Sequence, residues 1–151
     1  MIERLSSVTR ATTLILDRRS GARRSARVAI KAERTPSGGG LVVTERWTRV
    51  RPALPPSIGA SWTVTRWSLI EGGCLRVEHL RQGDAHPVAL VCLAWSSDAR
   101  AWMTVTPHRC GRDDYAARLS ADRTGSLRLV WSVSGPEKDL LILTRYRAGQ
   151  G

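Results

Sequence analysis

Glu45, Arg145, Tyr115 and Tyr146 stand inside otherwise apolar alternations, where an unsatisfied polar side chain is costly. A carboxylate there must be paired, hydrogen bonded or protonated. Two readings follow for Glu45 and Arg145. They are structural glue across an interior, or they orient a ligand and, with Tyr115, supply general acid or base chemistry. His108 lies between two strand-like runs, two residues before Cys110 and seven before Tyr115. It holds the Gly111 turn through a backbone hydrogen bond or shuttles a proton at a rim. Haem ligation lacks a diagnostic motif, so no cofactor is expected.

The aromatic inventory is skewed: six tryptophans, two tyrosines and no phenylalanine. Trp47, Trp67, Trp102 and Trp131 are candidate walls of a hollow that stacks on a planar molecule and offers it indole N–H donors. Met103 and Tyr146 join this ligand-contacting set. The alternative is that the indoles fill a core. Cys74, Cys92 and Cys110 form no CxxC unit, and no spacing with His79 or His86 makes a metal site. The nucleophile elbow, the phosphate-binding loop and the GxGxxG fingerprint are also missing, and Gly38–Gly40 precedes a strand rather than a helix.

These residues need a frame to position them, and period-two alternation supplies it. Runs at residues 9–17, 26–34, 41–50, 61–70, 74–80 and 87–95 are followed by a strand around Trp102 and by runs at 113–121, 127–135 and 139–147. Turns with glycine or polar residues separate them. The sequence has no convincing long helix, so the expectation is an all-β fold closed into an antiparallel barrel of about ten strands, which hides its edges. Residues 1–151 read as one domain, with residues 2–7 as a short plug at one end. RPALPPSIGA, residues 51–60, is too rich in proline for a central strand and reads as a loop at the barrel mouth. Ten strands enclose room for a ligand.

The formal charge is +11, carried by 22 arginines and 2 lysines. The arginines are spread along the chain. The densest cluster, residues 18–27, reads as a hairpin tip. Nucleic-acid binding through surface arginines and tryptophans is therefore an alternative, but not the favoured one. A third reading makes the two-sided apolar run at residues 87–95 a protein interface. No apolar run is long enough to span a bilayer, no signal-peptide core opens the chain, and the thiols suit a cytoplasmic protein. A homodimer is a reasonable expectation for such a barrel.

One stretch carries a resemblance. His108, Cys110, Asp114, Tyr115, Trp131, Gly135, Pro136, Lys138, Asp139, Tyr146 and Arg147 together resemble the closing pattern of a bacterial family of small calycin-like, or lipocalin-like, proteins without an assigned role. Glu137 and Leu140 depart from that pattern, and the glycine-x-tryptophan opening common to such barrels is missing. The resemblance implies the barrel and not a particular ligand. The favoured function is binding of a small hydrophobic molecule, aromatic or polyketide-like, in the cavity, with cyclisation or isomerisation by shape and hydrogen-bond donors as the chemistry such a site permits.

Overall fold

The computed structural model describes residues 1–51 and 62–148, with the backbone alone at 48–51. The proline-rich segment expected at the mouth lies outside the described residues. A five-residue helix, α1 (Ile2–Ser6), leads into β1 (Val8–Asp17), β2 (Arg23–Arg34), β3 (Gly40–Arg51), β4 (Trp62–Ile70), β5 (Cys74–His79), β6 (Val88–Ser96) and β7 (Ala101–Thr104). The chain continues through β8 (His108–Cys110), β9 (Asp113–Ala121), β10 (Leu127–Ser134) and β11 (Asp139–Ala148). Every pairing is antiparallel. β1 pairs with β11 and β10 with β9, so the sheet closes into a ten-strand barrel, and among the described residues β8 pairs only with β9. This architecture is compatible with the calycin-like resemblance.

Alternation becomes an inside and an outside. Ala26, Val28 and Ile30 of β2, Leu41 and Val43 of β3, Leu75 and Val77 of β5, and Leu127, Leu129 and Val133 of β10 are buried at every second position. On β1 the inward set is Ala11, Thr13 and Ile15, and Thr13 meets Thr144 of β11 through a buried 2.9 Å hydroxyl pair. Register slips at Arg27/Val28 and Val77/Glu78 bend the wall without changing the inward set of β5.

β7 and β8 are two halves of one interrupted strand on the same edge of β9. Thr104 explains the interruption. Its hydroxyl takes the Ala117 N–H at 2.6 Å and donates to the Ala117 carbonyl at 3.0 Å, replacing a backbone partner in the ladder. Pro107, which has no N–H to give, precedes β8. His108 therefore sits on a short strand rather than in the turn expected for it. The arginine cluster also divides: residues 18–22 make the turn, and Arg23, Arg24 and Arg27 belong to β2.

The interior has two unlike halves. Leu41, Leu75, Leu93, Leu119 and Leu127 fill one half, and Leu5 of α1 enters it with 2% of its surface exposed. The helix packs against β2, β3 and β4 and covers that end. No helix among the described residues is long and apolar enough to cross a membrane.

Candidate functional site

The other half of the interior holds a cavity of about 250 Å³. Its wall takes Glu45 and Trp47 from β3, Thr63, Thr65 and Trp67 from β4, Val77 and His79 from β5, and Leu90 from β6. Across from these stand Tyr115 of β9, Leu129, Trp131 and Val133 of β10, and Ile142, Thr144 and Tyr146 of β11. Each contributing strand places its members in one phase of the alternation except β6, where the slip opposite Val77/Glu78 leaves Leu90 as an extra residue that reaches the cavity out of phase with Val91 and Leu93. Inward projection of the two-residue repeat is thus what gathers side chains a hundred positions apart in sequence.

Glu45 and Tyr146 form the polar centre. The Tyr146 phenol donates to Glu45 Oε1 at 2.6 Å, and the Thr63 hydroxyl donates to Oε2 at a looser 3.3 Å. β3 and β11 are separated in the sheet by β1 and β2, so the Tyr146 bond runs through the barrel interior and not along the wall. Burial pushes the Glu45 carboxyl above its ordinary range, and the hydrogen bonds from Tyr146 and Thr63 act in the opposite direction. Burial, then the neighbouring Glu45, raise the Tyr146 phenol well above its usual value, so it remains a donor at neutral pH.

Donors surround this pair. Burial lowers the His79 pKa, with Arg81 adding to the shift, which favours the neutral ring. Its Nδ1 accepts the Arg81 backbone N–H at 2.8 Å, leaving the proton on Nε2. Trp67 Nε1 donates to Thr65 Oγ1 at 2.9 Å, whereas the buried Trp47 Nε1 has no partner. Among the described residues no lysine or arginine lines the cavity, although the chain as a whole carries +11.

The structure brings together six of the ten residues singled out by sequence: Glu45, Trp47, Trp67, Tyr115, Trp131 and Tyr146. Four lie elsewhere. Arg145 is one position out of phase with Tyr146, so it sits on the outer wall, in a groove with Thr12, Leu14 and Leu143. The partner of Glu45 is therefore Tyr146 and not Arg145. Trp102 packs against the filled half of the core and makes an edge contact with Trp95, centroids 6.1 Å apart. Met103, its neighbour in the strand, takes the opposite face and is 36% exposed. His108 pairs with Tyr115 in the ladder, ring centroids 6.2 Å apart, but does not line the cavity.

Sequence reasoning left out His79, Thr63 and Thr65. A signal existed for His79, since it shares the phase of Leu75 and Val77. The turn after β10 also acquires a physical role. Lys138 Nζ bonds Asp113 Oδ2 at 2.7 Å, and a Cβ on Gly135 would fall 2.0 Å from Asp113 Oδ1. Arg18 of the β1–β2 turn pairs with Asp139. These contacts tie together three connections at the cavity end of the barrel.

Residues 11–148 match the model of a family of unknown function, DUF6314, and the chain belongs to that family. No curated protein matches the sequence.

Proposed function

We propose that this member of a family without an assigned role binds a small, uncharged, largely apolar molecule inside the barrel. The observation that carries this reading is the contrast between wall and hollow: a strongly basic chain whose cavity is lined by three indoles, aliphatic side chains and one carboxylate, with no cation among the described lining residues. An anionic ligand would meet Glu45 and no counter-charge. A volume of about 250 Å³ lies just below the roughly 300–1,000 Å³ of drug-sized sites, which restricts the occupant to a molecule of one or two rings. Trp47, Trp67 and Trp131 offer it flat faces, and His79 and Tyr115 fix its polar atoms.

The alternative use of outward tryptophans and arginines as a nucleic-acid platform finds less support. Trp62 is 65% exposed and shares a face with Arg66, but Arg66 is held by Glu78 at 2.8 Å with both side chains largely covered. The test is intrinsic tryptophan fluorescence with 2-naphthol and with 2-naphthoate. Saturable quenching by the neutral compound, unchanged by salt and lost in Trp131→Leu, is the expected result. Preference for the carboxylate, with a steep salt dependence, would overturn the reading.

A further inference from the structure

A carboxylate in this cavity has an unusual setting for a merely structural group. Among the described residues Glu45 has no cationic partner, and a well-packed apolar pair at its position would hold β3 to β11 without the burden of a desolvated charge. Its two oxygens are also held unequally. Oε1 is fixed by the Tyr146 phenol at 2.6 Å, while among the described residues Oε2 has only the 3.3 Å contact from Thr63. One oxygen is anchored and the other is free to take up a proton.

Beside this acceptor the cavity presents donors. The register sets Glu45 against Thr63 and His79 against Thr65, so the carboxylate and the imidazole flank β4 on the same wall, their strands about 10 Å apart. His79 has its remaining proton on Nε2, and the buried Trp47 N–H is unpartnered. A base and neutral N–H donors facing one enclosed space form the arrangement that stabilises an oxyanion as a neighbouring C–H is broken.

We propose that Glu45 is a general base, and by return of the same proton a general acid, acting on a small neutral ketone bound in the cavity. The step needs no other reactant. Glu45 Oε2 takes the proton from the carbon beside the carbonyl, the C–H electron pair becomes the new C–C π bond, and the carbonyl π pair moves onto oxygen, where the donors receive it. Delivery of the proton to the same carbon gives exchange. Delivery to the far carbon of an unsaturated ketone shifts the double bond and regenerates the carboxylate. Tyr146 is a positioning residue, since it touches the base and not the substrate. Among the described residues, the other titratable side chains facing this space are His79 and Tyr115.

This inference rests on the cavity reading, and one experiment separates the two. 2-Tetralone is added to the protein in D₂O, with binding followed by tryptophan quenching and loss of the protons beside the carbonyl followed by proton NMR. The expected result is quenching together with exchange well above buffer, a drop of roughly 100-fold or more in Glu45→Gln with quenching retained, and partial activity in Glu45→Asp. In Tyr146→Phe the pH midpoint of the exchange moves upward, because a bond that stabilises the ionised carboxylate is gone. Quenching without accelerated exchange, or equal exchange in Glu45→Gln, would overturn the base and leave the cavity reading standing. No quenching by 2-tetralone or 2-naphthol would overturn both.

Discussion

The plugged half and the hollow half of this barrel both carry indoles and branched aliphatic side chains on the inner face, yet they differ in what those large side chains are packed against. Toward α1, Leu5, Leu93 and Leu119 meet apolar atoms on every side, and Trp102 is one more filler. Toward the β10–β11 turn, Trp47, Trp131 and Ile142 have neighbours behind them and open space in front. The difference teaches that an indole in a strand has no fixed purpose. Its meaning depends on whether something fills the volume it faces, and here a five-residue helix fills only one end.

That contrast can be broken most forcefully at its packed side. Leu119→Ala should cost about 2–5 kcal/mol, read by urea unfolding, because the void it leaves is enclosed. Ile142→Ala should cost markedly less, since the side chain already borders a cavity. Equal losses would mean that the halves do not differ. Next in size is Gly135→Ala, at about 1–3 kcal/mol, since Asp113 must move away from the new methyl group. This change should also loosen the mouth, visible as faster amide exchange in β8.

A smaller effect of opposite sign is expected at Glu45. Its folded-state pKa is raised by burial, so between the ordinary carboxylate range and that higher value the folded protein holds more protons than the unfolded chain. Stability therefore falls as pH rises through this window, and the penalty is complete above it. Glu45→Gln should raise Tm at pH 7 by about 2–4 °C for each ~1 kcal/mol relieved, and the gain should vanish below the ordinary carboxylate pKa. A Tm gain that persists in acid would show that charge burial is not its source. Smallest of all is Lys138→Met, which should leave the urea midpoint nearly unchanged, because half of the lysine side chain faces water.

The strands were legible because alternation is a local property. Barrel closure also followed from it, as a run of strands without helices leaves edges to hide. Phase was legible where one face was plainly polar, as in β2. In β11 it was not: Leu141, Leu143 and Arg145 alternate with Ile142, Thr144 and Tyr146, two sets of almost equal character, and Arg145 was placed inside when it belongs outside. Trp102 and Met103 are adjacent, so at most one of them could have faced a ligand. The break between β7 and β8 depends on a threonine hydroxyl entering a ladder, which no periodicity reports.

The pairing of β1 with β11 has a consequence for biosynthesis. β1 finds β2 as soon as both have left the ribosome, but its other edge stays bare until β11 has been made. While the strands between β1 and β11 are being made, the nascent sheet is an open ribbon carrying an adhesive margin. Arg10, Thr12 and Leu14 along the outer face of that margin leave only modest charge to discourage a neighbouring ribosome's product from docking there first.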